Sequence, residues 1–233
     1  MFFGRFFAVV VSFCLVACGG GGGGGGASSP SGPVASTSVF QIRAENANAY
    51  VQGSYSFTIS GTISGYALSG GGTITDGPVT SGTFEGVTAL QQTSTVAGTV
   101  IANGNSIPLS STSTSYIDSN YLPLGGVGSE YVVYGAVNIP VTALVNDTGV
   151  AYTASRYTNS SKSTLVGTAT VTYVLQPDTA STAIFVVTSV SKDTSGVITS
   201  TETSRTRITP TGGFTRLNST AVYPNGNTFV FNY

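Results

Sequence analysis

Few residues of this chain can carry catalysis, because histidine is absent from all 233 positions. Its absence excludes a Ser-His-Asp triad, a Cys-His pair and a histidine-ligated zinc site. Both cysteines, Cys14 and Cys18, lie in the apolar amino terminus. Carboxylate pairs, a Ser-Lys pair and tyrosines are the remaining catalytic options.

A pair of carboxylates can catalyse glycoside hydrolysis if the two lie about 5–10 Å apart around the glycosidic bond. The chain has nine, at Glu45, Asp76, Glu85, Asp118, Glu130, Asp147, Asp178, Asp193 and Glu202. Four of the aspartates (76, 118, 178 and 193) adjoin turn residues, where aspartate usually caps backbone N–H groups. The Asp-x-Asp-x-Asp-Gly pattern of a calcium loop is absent. We therefore predict no catalytic residue, no metal site and no cofactor.

A second candidate is Ser189-Val190-Ser191-Lys192, which has the spacing of the Ser-x-x-Lys motif. Penicillin-recognising enzymes place that motif on a helix, where residues i and i+3 share a face. Here it ends a β-run, so Ser189 and Lys192 point to opposite faces. The spacing does not indicate catalysis, and we predict that the protein is not an enzyme.

Three arginines form the candidate binding site. If the turn around Thr211 and Gly212 is centred, Arg207 faces Arg216 across a hairpin and Arg205 faces Asn218. Like charges directly opposite are unfavourable unless an anion lies between them. A carboxylate-bearing glycan or a lipid phosphate suits forked guanidinium groups. The alternatives are a solvated face with Glu202 nearby, or a one-residue register shift that separates the arginines.

The amino terminus has the pattern of an export signal. Arg5 is the only charge in the first forty residues, and an apolar run of about a dozen follows at 6–17. A membrane-spanning helix needs about 20 apolar residues, so this run is too short to remain as an anchor. The alternative is an ordinary secretory peptide with an incidental cysteine.

The tetrapeptide Leu15-Val16-Ala17-Cys18 resembles the lipobox of bacterial lipoproteins. The resemblance implies a diacylglyceryl group on Cys18, cleavage after Ala17 and acylation of the new amino group. Phe13 is too bulky to precede a cleavage site at Cys14. Two or more acyl chains hold a protein stably on a membrane. By resemblance to sorted lipoproteins, glycine rather than aspartate after the cysteine favours the outer membrane.

The domain organisation follows from composition. Residues 1–17 are the predicted signal peptide, and 18–37 are a lipidated, Gly/Ser/Pro-rich tether that we expect to be disordered. Residues 38–233 form the predicted folded part, without a disulfide because no further cysteine exists. A net charge of −1 gives no basic surface for nucleic acid. The segments 99–109 and 206–217 are similar to each other, which is a pattern that an internal duplication produces. The boundary between the two copies would then lie near 125–128.

The folded part is predicted to be all-β. Residues 54–64 and 167–175 alternate apolar with Ser or Thr, which indicates half-buried strands. Turn signals lie at 76–78, 103–104, 176–178, 193–196, 210–213 and 224–226. Residues 39–50 can form at most one short helix. We therefore predict an antiparallel β-barrel or β-sandwich of about ten strands.

The carboxyl end raises a membrane alternative. Residues 229–233 alternate aromatic with smaller side chains and are similar to the closing strand of outer-membrane barrels. The other interpretation is a final core strand. Residues 197–209 are polar on both faces, unlike a membrane strand.

The Gly-tethered lipobox start is similar to Gram-negative surface lipoproteins whose β-barrels bind partners, including the transferrin-binding-protein B and factor-H-binding types. This likeness covers the first thirty-odd residues and the general β character, and it transfers no ligand. Runs such as 81–86 and 113–116 resemble uncharacterised β-rich envelope lipoproteins. We predict a non-catalytic binding or structural lipoprotein, held on the membrane through Cys18, with an envelope glycan or protein as partner. The alternatives are an outer-membrane barrel or adhesin component, or a carboxylate-dependent glycan hydrolase.

Overall fold

A computed structural model describes residues 35–233 of the chain. Its elements are β1 (Phe40–Gln41), α1 (Ile42–Asn48), β2 (Gly53–Ile63), β3 (Tyr66–Asp76), β4 (Thr80–Phe84), β5 (Val87–Ala102), β6 (Asn105–Ile117), β7 (Pro123–Val127), β8 (Tyr131–Tyr134), β9 (Thr142–Ala143), β10 (Thr148–Tyr157), β11 (Leu165–Pro177), β12 (Ala183–Asp193), β13 (Ile198–Ile208), β14 (Phe214–Val222) and β15 (Thr228–Asn232). The all-β prediction is confirmed.

Twelve of the strands close into an antiparallel barrel. The order is β3-β2-β15-β14-β13-β12-β11-β10-β8-β7-β6-β5, and β5 returns to pair with β3. β4 is an additional strand on the first half of β5. The strands on both sides of residues 125–128 belong to this one sheet, so no boundary between sheets falls there.

The barrel wall follows the period-two pattern of the sequence. In β2, Phe57 and Ile59 are buried in the interior while Ser56 and Thr58 are exposed. In β11, Ala169 and Val171 likewise face inward and the threonines face outward. Hydroxyl pairs join neighbouring strands on the outside, as between Thr93 and Thr114 at 3.1 Å. The interior is thus apolar over much of its length and the outer wall is rich in hydroxyl groups.

The two ends of the barrel differ. Hairpin turns after β2, β5, β7, β10, β12 and β14 lie at one end, which we call the mouth. The opposite end receives the plug, the segment from β1 through α1 to Tyr50 (residues 40–50). Segments 99–109 and 206–217, which resemble each other, turn at opposite ends, since one hairpin is β5–β6 and the other β13–β14.

The plug closes its end with both apolar and polar contacts. Phe40 and Ile42 are fully buried in the main core cluster. Asn48 Nδ2 donates to the Gly212 carbonyl at 3.0 Å, and Gln92 Nε2 donates to the Tyr50 carbonyl at 3.1 Å. Gly212 has φ +87°, and a Cβ there would lie 2.7 Å from Ala44 Cβ. The β13–β14 turn can approach α1 so closely only because this residue is glycine.

β4 lies against the outside of the barrel and covers a small outer core. The Phe84 ring stacks on Tyr116 and Tyr131, with centroids 4.6 and 5.4 Å apart. The Tyr131 hydroxyl donates to Glu85 Oε1 at 2.6 Å, and Lys162 pairs with the same carboxylate. The predicted turn at 76–78 joins β3 to β4, which do not pair with each other but both pair with β5. At this turn the chain leaves the barrel wall.

β15 closes the barrel between β14 and β2. Phe231 is 4% exposed and packs against Phe57 in the second core cluster. This agrees with the interpretation of residues 229–233 as a final core strand.

Candidate functional site

The mouth of the barrel brings together three charged side chains from separate elements. Glu130 lies in the β7–β8 turn, Arg156 near the end of β10 and Glu202 on the inward face of β13. Glu202 points inward because it shares its phase with Ser200, Thr206 and Ile208, all of which are buried. With Ser189, Ser191, Ser200 and Tyr223, these residues form what we call the mouth cluster.

Arg156 and Glu130 make a two-pronged ion pair. Arg156 Nε lies 2.7 Å from Glu130 Oε2, and Nη2 lies 2.8 Å from Oε1. The two side chains are 12% and 19% exposed. This fork-to-carboxylate geometry fixes both groups and neutralises their charges.

Glu202 lies deeper, at 8% exposure, and its charge is only partly compensated. Burial raises its pKa to about 7, Arg156 opposes that rise, and Glu130 adds to it. The Ser200 hydroxyl hydrogen-bonds to the carboxyl group. Glu202 therefore exchanges a proton near neutral pH and can act as a donor or an acceptor there.

Two tyrosines, Tyr223 and Tyr134, lie near enough to the Glu202 carboxyl group to feel its charge. Burial, followed by the charge of Glu202, raises the pKa of Tyr223. Toward the plug, the rings of Tyr134 and Tyr152 lie 4.6 Å apart, and burial raises the pKa of both phenols. The tyrosines are therefore neutral hydrogen-bonding groups at neutral pH.

A second interior cluster lies near the plug. Arg216 Nη2 is 3.6 Å from Asp76 Oδ2, and Ser94 donates to Asp76 Oδ1 at 2.5 Å. The guanidinium carbon is 3.8 Å from the ring centroid of Tyr55. Burial raises the pKa of Glu45 on α1, and the positive charge of Arg216 opposes this shift. Arg216 thus links the plug helix to the barrel wall electrostatically.

The structure separates the three arginines of the predicted anion site. A β-bulge between Arg205 and Thr206 shifts the register, so Arg216 pairs with Thr206 and not with Arg207. The predicted Arg207–Arg216 pairing is wrong, whereas the Arg205–Asn218 pairing is confirmed. Arg205 and Arg207 lie on the outer face, and Arg216 points into the barrel. The predicted three-arginine cluster is therefore corrected: a bulge places its members on both sides of the sheet.

Arg207 has a carboxylate of its own. Its Nε lies 2.7 Å from Asp178 Oδ2 on the outer surface. The hydrogen bond from Arg207 lowers the pKa of Asp178. Each of these two arginines, Arg207 and Arg216, thus already contacts a carboxylate.

The turn aspartates follow the prediction in two of four cases. Asp118 accepts from the backbone N–H groups of Asn120 and Leu122, and Asp193 from those of Ser195 and Val197. Asp178 binds the side chains of Arg207 and Thr182, so the backbone-cap prediction is wrong for this residue. Asp76 is buried beside Arg216.

The other predicted residues have simpler outcomes. Ser189 faces the interior and Lys192 is exposed on the outer face, as expected for a strand. Cys18 and the signal peptide lie outside the described residues and remain predictions. In the described part of the chain, no three acidic, histidine or cysteine side chains come together to hold a metal ion. Helical structure in residues 35–233 is nowhere long and apolar enough to cross a membrane.

The mouth cluster was not predicted, although part of its signal is present in the sequence. Glu202 occupies the same phase of its strand as Ile208, six residues away, so an inward carboxylate could have been found. Glu130 and Arg156 are 26 residues apart, and the pairing of β8 with β10 brings them together.

The fold and this site define a closed antiparallel β-barrel with a plugged end and a polar, partly charged interior at its mouth. Compared with protein-family models, curated proteins and solved structures, the chain finds no match.

Proposed function

We propose that the chain is a lipid-anchored envelope lipoprotein whose barrel is a non-catalytic binding module. The lipobox-like tetrapeptide ending at Cys18 carries the anchoring part of this proposal. The absence of Asp after the cysteine favours the outer membrane. The partners are then the membrane, through acyl chains on Cys18, and an envelope glycan or protein, with no nucleic acid.

The position of the plug indicates at which end of the barrel the tether attaches. The described chain enters the barrel at the plug end, where β1 pairs with β9 and Gln41 N–H donates to the Pro210 carbonyl. A tether at 18–37 would therefore attach at the plug end. The mouth cluster lies at the opposite end, so the tether does not obstruct it. That arrangement suits a module that meets its partners through the mouth.

Metabolic labelling with palmitate tests the anchor. We expect label on the wild-type chain, loss of label in Cys18→Ala, and full label in the matched control Cys14→Ala. Equal labelling of wild type and Cys18→Ala, or label that depends on Cys14, would overturn the proposal.

The membrane-barrel alternative has less support. The outward positions of β2, β3, β5 and β11 carry mostly Ser and Thr, while the apolar side chains of these strands face inward. A barrel wall in contact with lipid requires the reverse arrangement. The outer wall therefore favours a barrel that stands in water on its tether.

One observation favours a glycan hydrolase as the second candidate. Glu130 and Glu202 both lie beside Arg156, and the pKa of Glu202, raised to about 7, suits a general acid. Against this, Arg156 occupies both oxygens of Glu130, which would have to attack the sugar or activate water. Glycan cleavage that Glu202→Gln abolishes would favour hydrolysis over binding.

A further inference from the structure

Four inward side chains form a compact polar patch on the wall of the barrel. Ser189 lies directly opposite Glu202 on the neighbouring strand, and Ser191 lies opposite Ser200. Residues i and i+2 of a strand share a face, so the four side chains make a square. Cross-strand Cβ atoms in such pairs are about 5 Å apart, within the span of one small polar molecule.

Two of the four side chains have an alanine as their neighbour on the next strand. Ala221 flanks Glu202 on β14 and Ala169 flanks Ser191 on β11, whereas Val171 flanks Ser189. Arg156 pairs with Gly167, so its side chain has no large neighbour on β11 beneath it. The Glu202 carboxyl group and the hydroxyls thus stand on a shallow part of the wall, and the Arg156–Glu130 pair lies on the mouth side of them.

Two hydroxyls of the patch are buried without a hydrogen-bond partner. These are Ser189 Oγ and Ser191 Oγ, and Ser191 as a whole is 1% exposed. A buried hydroxyl normally finds a partner, because losing water without replacement costs free energy. Both hydroxyls adjoin the Glu202 and Ser200 side chains, so a single ligand can satisfy them together with the carboxyl group.

The charges of the cluster select the kind of ligand. Arg156 is neutralised by Glu130, so the cluster offers an anion no free cation and places the carboxyl group of Glu202 beside it. A cation would find one carboxylate, whose charge Arg156 already offsets in part. The remaining groups are hydroxyls, from Ser189, Ser191 and Tyr223. They donate and accept equally, which matches a neutral ligand that is itself rich in hydroxyls.

We propose that the mouth cluster binds a neutral polyhydroxyl ligand, the chemistry of a sugar residue, with Glu202, Ser189 and Ser191 as its hydrogen-bonding partners. The Arg156–Glu130 pair lies on the mouth side of these groups and has to separate before a ligand reaches the serines, which are closed off in this structure. This inference rests on the proposed function as a binding module and names the ligand class of that module.

Saturation-transfer NMR on the purified full chain tests the proposal. The probes are D-glucose, D-galactose and N-acetyl-D-glucosamine, with putrescine as a cationic probe, in a detergent without sugar groups. We expect transfer to at least one of the sugars and none to putrescine. Ser191→Ala should weaken sugar binding at least tenfold without lowering the thermal midpoint, because the hydroxyl it removes has no partner in the fold.

Ser110→Ala, on the exposed outer face of β6, is the matched control and should bind like the wild type. Three results would overturn the inference: no transfer to any of the sugars, equal binding in Ser191→Ala, or binding of putrescine alone. If the sugar test fails while the wild-type chain still carries palmitate on Cys18, only the ligand assignment fails. If the wild-type chain carries no palmitate on Cys18, the anchoring proposal fails and the sugar test is unaffected.

Discussion

The pKa of Glu202 depends on the face of β13 on which its side chain lies. The strand is polar on both sides, yet one side is exposed and the other is the barrel interior. Burial with incomplete charge compensation raises the pKa of the carboxyl group, whereas Asp178, on the outer surface beside Arg207, has its pKa lowered. Two similar side chains thus respond to pH in opposite directions.

The raised pKa makes stability depend on pH in a defined direction. Glu202 has a pKa near 4.5 when unfolded and about 7 in the fold, so its contribution is complete below pH 4.5 and is lost as pH rises through 7. A difference of that size corresponds to about 3 kcal/mol. We expect Glu202→Gln to be more stable than the wild type by up to this amount above pH 7, and similar in stability below pH 4.5.

Urea unfolding of the wild type and Glu202→Gln, above pH 7 and below pH 4.5, measures this difference in the free energy of unfolding. Thr203→Val, at the next position on the outward face, removes no titrating group and should differ from the wild type by the same amount at either pH. An advantage of Glu202→Gln that does not change with pH would contradict the assignment of the raised pKa.

The plug is the element that depends most on interior polar contacts. α1 has only seven residues and no side-chain cap, so its own hydrogen bonds give it little stability. Its apolar contacts through Phe40 and Ile42, together with the charges of Glu45 and Arg216, hold it in the barrel. β4 is held differently, by ring stacking on the outer wall and the Glu85–Lys162 pair.

Replacing Arg216 tests the docking of the plug. Arg216→Leu removes the cation that faces buried Asp76 and lies near Glu45, and breaking a buried ion pair from one side costs about 3–5 kcal/mol. We expect a loss of this order in the free energy of unfolding, and faster hydrogen exchange in residues 42–50.

Arg207→Leu is the matched control, because it removes an arginine of the same hairpin from an exposed ion pair. Water screens that pair, so little stability should be lost. Equal losses in the two variants would show that Arg216 is not what holds the plug.

Closure of the barrel depends on the contact between β3 and β5. Here the backbones approach so closely that a Cβ on Gly72 would lie 2.2 Å from the Ala97 carbonyl oxygen. The strands are also far apart in sequence relative to a simple hairpin, since β4 is inserted between them. The whole molecule therefore relies on small residues at this contact to join the first and last strands of the sheet order.

Gly72→Val should weaken this closure. A side chain at this position must displace backbone, and overpacking of this kind costs about 3 kcal/mol. We expect that loss in denaturant unfolding, with hydrogen exchange increased first in residues 94–102.

Gly82→Val provides the comparison, because Gly82 also pairs with β5 but its Cβ would meet only the flexible Gln91 side chain. This variant should stay close to the wild type. A stable Gly72→Val protein with unchanged exchange at β5 would contradict the importance of this contact.

Much of the fold could be predicted from the sequence, because strand formation has a local signal. Alternation at Tyr55 and Phe57 sets the inward face of β2, and Asn103-Gly104 marks the β5–β6 turn. The absence of histidine limits the catalytic chemistry of the chain whatever fold it adopts. The prediction of one short helix at most within residues 39–50 is confirmed by α1.

The tertiary structure decided the rest, for reasons that are not local. A bulge of one residue between Arg205 and Thr206 moved Arg216 from the outer face to the interior, because each one-residue shift reverses a strand's faces. Pairing of β8 with β10 brought Glu130 to Arg156, the curved barrel wall placed both near Glu202, and the plug closed one end. The sequence by itself determined which residues can do chemistry here; only the closed barrel determined which of them meet, since register and closure depend on contacts between distant strands.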